Sequence, residues 1–64
     1  MENKRFTLKE LRKANRVKVN DIAGYLGISR MFYYMLENKQ AVFTNEYKIK
    51  VASFYNLCVT DIIF

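Results

Sequence analysis

Residues 22–39, IAGYLGISRMFYYMLENK, decide the fold of this chain. Ile22, Ala23 and Leu26 form an i, i+1, i+4 apolar stripe, which predicts a helix over about 19–26. Gly27 supplies the positive φ of a tight turn, Ile28 returns to the core, and Ser29 caps the next helix. That helix ends near Glu37 and contains six large apolar or aromatic residues in a row, Met31 to Leu36. Turned at about 100° per residue, it places Tyr33 and Leu36 inward with Phe32 beside them. Arg30, Met31, Tyr34 and Met35 then face outward. A helix on the surface of a small domain normally shows solvent a polar face. This one shows an apolar face.

Outward from this segment the chain reads as helix throughout. Thr7-Leu8-Lys9-Glu10 has the form of a capping box, and Leu11 and Ala14 follow at helical spacing, so a first helix runs about 7–15. Thr44 caps a fourth helix whose apolar residues Tyr47, Val51, Phe54 and Tyr55 fall on one side. Asn56 tolerates the left-handed conformation and ends it. A last helical turn over about 59–63 brings Val59 and Ile62 inward. No stretch alternates with period two for long enough to demand a strand. The expectation is an all-α fold of five short helices in one domain, residues 1–64. A chain of this size buries only about 60% of the surface that it exposes when unfolded. Gly24, inside the second helix, costs about 1 kcal/mol relative to Ala; it is either neutral drift or room for the close approach of a partner's backbone.

Composition excludes several classes of function. The longest apolar run is far below the ~20 residues that span a bilayer. Glu2, Lys4 and Arg5 break any signal-peptide layout, which makes the cytoplasm the expected location. Cys58 is the only cysteine and there is no histidine, so neither an internal disulfide nor a metal site is expected. Cys58 is expected to be a small buried hydrophobe. Without histidine the usual acid–base and nucleophile constellations lack their base, and no glycine-rich phosphate loop is present. A non-enzymatic protein without cofactor is expected. The net charge is +5, and seven of eleven cations (Lys4, Arg5, Lys9, Arg12, Lys13, Arg16, Lys18) fall in the first eighteen residues. A basic end of this kind suits a nucleic-acid or acidic-protein partner, or simply a solvated helix face.

The longer run LRKANRVKVNDIAGYLGISRMFYYMLENK, residues 11–39, resembles the DNA-binding domain of the Cro and phage-repressor family. Leu-Arg near the end of the first helix, Leu-Gly-Ile-Ser at the turn and Glu-Asn after the third helix carry the likeness. It extends without gaps from about Thr7 to Ile63. The resemblance implies a five-helix phage-repressor-like fold with a helix-turn-helix at helices 2 and 3, about 19–37. It also implies an ion pair between Arg12 and Glu37. Two departures stand out. Lys18 and Val19 replace the Thr-Gln that often opens the second helix, and Lys39 replaces the usual Gly after Glu-Asn. Either Asn38 or a strained Lys39 must then make the left-handed turn.

The family reads base edges in the major groove with the outer face of its third helix. Arg30, Met31, Tyr34 and Met35 would occupy that place, and Lys18, Ser29, Asn38, Lys39 and Gln40 would contact phosphates. The expected function is a sequence-specific transcription regulator that binds double-stranded operator DNA in a phage-like genetic switch, inside a bacterial host cell. Two methionines and a tyrosine make a reader poor in hydrogen bonds. The same face suits protein docking, because Met and Tyr are favoured at adaptable interfaces. The alternative partner is therefore a phage repressor protein, with the chain acting as an antirepressor. A third reading makes the face a homodimer seam, and a fourth makes two of these residues a thickening of the core.

Overall fold

The computed structural model describes residues 5–64. Glu2 and Lys4, named above, lie outside those residues. Strand β1 (Phe6–Thr7) leads into helix α1 (Leu8–Ala14), followed by α2 (Val19–Leu26), α3 (Arg30–Glu37) and α4 (Asn45–Phe54). A 3-10 turn (Val59–Asp61) and strand β2 (Ile62–Ile63) complete the described chain. The architecture is mostly helical with a small two-stranded sheet.

Three helices start on side-chain caps that the sequence announces. The Thr7 hydroxyl accepts from the Glu10 amide at 3.1 Å, and the Glu10 carboxylate accepts from the Thr7 amide at 2.9 Å, which completes the capping box. Ser29 accepts from the Phe32 amide and Thr44 from the Tyr47 amide. Removing such a cap costs about 1 kcal/mol. Lys18, at the start of α2, makes no side-chain cap. Asp21 in the first turn of α2 complements the helix dipole there.

All four helices end in the same hydrogen-bonded turn, in which the residue after the left-handed position donates back to a carbonyl five residues earlier. Val17 donates to Arg12, Ile28 to Ala23, Gln40 to Met35 and Leu57 to Ala52. The left-handed residues are Arg16 (φ 53°), Gly27 (φ 73°), Lys39 (φ 62°) and Asn56 (φ 56°). Only Gly27 adopts this region without steric cost. Of the two candidates for the turn after α3, Lys39 makes it.

The core gathers the inward stripes: Leu8 and Leu11 from α1, Val19, Ile22, Ala23 and Leu26 from α2, Tyr33 from α3, and Val51 and Ala52 from α4. Ile28, Tyr47, Phe54, Tyr55 and Val59 pack half-buried against it. Ala23 is buried where α2 meets its neighbours, and a side chain of Ala's size lets α3 and α4 approach. Gly24 is exposed, and nothing lies within 4 Å of where its Cβ would be.

Three expectations are corrected. The fifth helix is a single 3-10 turn, because Ile62 leaves helical geometry (φ −118°, ψ 136°) to pair with the other end of the chain. That pairing is parallel, Phe6 with Ile62 and Thr7 with Ile63, where no strand was expected. Cys58 is exposed, since it stands at the surface as the residue before the 3-10 turn, where its backbone amide donates to the Asp61 carboxylate at 3.0 Å. The first helix is present as expected, with Leu8 and Leu11 buried and Ala14 exposed.

Candidate nucleic-acid interface

The orientation of α3 is fixed from beneath. Tyr33 and Leu36 are buried, and Phe32 meets Tyr47 of α4 edge to face with ring centroids 6.3 Å apart. Such a contact adds about 0.5–1.5 kcal/mol beyond area burial. With these three anchored, the opposite side of the helix must point to solvent. Arg30 is exposed, Met31 is 75% exposed and Tyr34 is 45% exposed. The three line one shallow groove of about 380 Å³. Met35 departs from the expected outward placement and is half-buried, at the point where the chain turns back after α3. Its carbonyl accepts from both the Gln40 and Ala41 amides.

The end of α3 is locked to α1 by an ion pair. Arg12 Nε donates to Glu37 Oε2 and Arg12 Nη2 to Glu37 Oε1, both at 3.0 Å, a fork-to-fork arrangement. The Glu37 side chain is 3% exposed and that of Arg12 is 19% exposed. Burial alone would push the Glu37 carboxyl up. The Arg12 hydrogen bond, the nearby Tyr33 hydroxyl and the charges of Arg12 and Lys9 outweigh burial and hold it below its ordinary range. Burial, followed by the negative charge of Glu37, pushes the Tyr33 phenol well above its ordinary value. Burial likewise pushes Tyr55 up to about 12. Neither buried hydroxyl has a hydrogen-bond partner of full geometry. The Arg12–Glu37 pair foreseen from the resemblance is therefore present, and Glu37 is committed to it.

The expected phosphate contacts fall into three places. Lys18 is exposed at the open start of α2. The Ser29 hydroxyl is occupied as the cap of α3 but remains at the surface. Beyond α3, Asn38, Lys39 and Gln40 are all exposed. Asn38 and Lys39 share a groove of about 230 Å³ with Lys9, Thr7 and Phe64. Lys9, which the sequence marks only as one cation of the basic end, thus joins the expected phosphate contacts. A signal was present: Lys9 stands one turn before Arg12 on α1, so a pair joining Arg12 to Glu37 carries Lys9 to the residues just after α3.

No group of three or more His, Cys, Asp or Glu among the described residues is placed to hold a metal ion. No helix among the described residues is long and apolar enough to cross a membrane. Comparison with protein-family models, curated proteins and solved structures finds no match.

Proposed function

We propose that this chain is a non-enzymatic transcription regulator of the Cro and repressor type that binds operator DNA. In this reading α2, the turn at Gly27 and α3 form a helix-turn-helix, and α3 enters the major groove. One observation carries the reading. Tyr33 and Leu36 hold α3 by its inner side, so that Arg30, Met31 and Tyr34 are presented together to solvent on a chain of net charge +5. Arg30 suits a guanine edge, while Lys18, Lys39 and Lys9 suit the phosphates on either side. The resemblance of residues 11–39 to phage repressors supports a phage-like switch within a bacterial cytoplasm as the setting, with a homodimer as the form that would read a palindromic site.

A second reading has its own support. The exposure of Met31 and Tyr34 also suits docking onto a repressor protein, in the manner of an antirepressor. Salt separates the two. If the three lysines Lys18, Lys39 and Lys9 neutralise phosphates, raising salt from about 50 to 200 mM should weaken DNA binding about 40-fold. An apolar protein interface would barely respond. Failure to bind any duplex at low salt would remove the DNA reading and leave the antirepressor.

A further inference from the structure

Resting on the DNA-binding reading, we infer that α3 recognises its site chiefly through thymine 5-methyl groups, with Met31 as the principal reader and Tyr34 beside it. The inference follows from which hydrogen-bonding groups the exposed face of α3 lacks. The major groove offers acceptors on guanine, a donor and an acceptor on adenine, a donor on cytosine, and one apolar feature, the thymine methyl. Reading cytosine needs an acceptor. The carboxylate of α3, Glu37, is held by two hydrogen bonds from Arg12 and its side chain is 3% exposed. Reading adenine in the usual way needs a side-chain amide, and no residue from Arg30 to Glu37 carries one. Guanine can be read by Arg30. What remains in the groove shared with Arg30 is the Met31 thioether, which has no donor, and the single Tyr34 hydroxyl.

Met31 is 75% exposed, the highest value among the large apolar side chains of α3. An unbranched thioether adapts its rotamer to a methyl group without a fixed pocket. Charge favours a polyanion as the occupant of this face over an apolar peptide. The chain carries +5, and the Arg30 cation lines the same groove as Met31 and Tyr34.

The test begins with selection of sites from a pool of random duplex DNA by the full chain. Each thymine of the selected sites is then replaced in turn by uracil, which pairs identically and lacks only the methyl. At one or two positions per half-site the replacement should weaken binding about fourfold, the value of one buried methyl group. Met31→Ala should bring that difference within twofold, and Met31→Leu, which keeps an apolar contact, should retain it. Circular dichroism checks that both variants fold. Should Met31→Ala not fold, the uracil series on the parent protein decides alone. Tight binding by the parent with every uracil replacement within twofold would overturn methyl readout and leave DNA binding intact. Failure to hold any duplex at low salt would instead overturn the DNA reading, and this inference with it.

Discussion

Truncating Arg12 to Ala tests the joint between α1 and α3. The change leaves the Glu37 carboxylate, 3% exposed, without the two 3.0 Å hydrogen bonds that offset its burial. Stripping one partner from a buried pair costs about 3–5 kcal/mol. The Arg12 side chain is 19% exposed, so water reaches part of the vacated space, and about 2–3 kcal/mol is the expected loss. A domain of this length has about 3–10 kcal/mol in total. At roughly 4–8 °C per kcal/mol, Arg12→Ala should lower the melting temperature by about 10–20 °C, read by circular dichroism at neutral pH. Glu37→Gln should cost less, about 1 kcal/mol, because the amide oxygen still accepts and the guanidinium left behind can be hydrated. Acid gives an independent check. The Glu37 carboxyl is held low in the folded state, so its stabilisation is complete above the unfolded carboxyl value near ~4.3 and is lost as pH falls through the lower folded value. The melting curves of parent and Glu37→Gln should therefore converge in acid. Equal melting temperatures for Arg12→Ala and the parent at neutral pH would refute the reasoning.

Four other changes probe separate parts of the structure. Tyr55→Phe removes a buried hydroxyl without a partner and should stabilise by about 1 kcal/mol. Because the Tyr55 phenol is pushed up to about 12, the parent should lose stability as pH rises from ~10 towards that value, and Tyr55→Phe should lessen the slope of an alkaline melting series. Gly24→Ala adds a Cβ with nothing within 4 Å and should raise stability by about 1 kcal/mol in a denaturant titration; loss of DNA or partner binding by the same variant would mark Gly24 as a point of close approach. Lys39→Gly relieves a left-handed lysine and should stabilise by about 0.5–1 kcal/mol while flattening the salt dependence of DNA binding by one phosphate contact. Met31→Gln with Tyr34→Gln should melt close to the parent, whereas adding Met35→Gln should cost about 1 kcal/mol more, because Met35 is half-buried.

The parts of the fold that could be read from the sequence are those whose causes lie within a few residues. Thr7 with Glu10, Ser29 and Thr44 announce helix starts because a cap acts across three positions. Gly27 announces its turn because no other residue takes φ 73° as cheaply. The inner side of α3 followed from its period, which placed Tyr33 and Leu36 correctly. Met35 did not follow: the helical period points it outward, yet it is half-buried beside the turn that closes on its carbonyl, and that turn is no part of the helix. The left-handed Arg16 carries no local mark of its own; the hydrogen bond from Val17 to the Arg12 carbonyl is part of the turn that holds it there. The two-residue strands were invisible because each is defined only by a partner at the far end of the chain. Cys58 was misplaced for a related reason: apolar character predicts burial on average, but a residue at the mouth of a turn follows the backbone.

That far-end pairing sets an order of assembly. The Arg5 guanidinium reaches the Ile62 carbonyl at 3.4 Å, across a separation of 57 positions, beside the two-residue ladder. Closing a free loop of that length costs about 3.5 kcal/mol of chain entropy. One long hydrogen bond and a two-residue ladder do not cover such a cost in an otherwise unfolded chain. The caps and the α2–α3 turn involve much shorter loops and can form before it. Once the helices have packed, they bring the two ends together and most of the closure entropy has already been lost. The strands are therefore expected to pair late in folding. Run backwards, the same order predicts that separation of the strands comes early in unfolding and uncovers Ile62, which is 1% exposed in the core; early hydrogen exchange at the Ile62 and Ile63 amides is the expected sign.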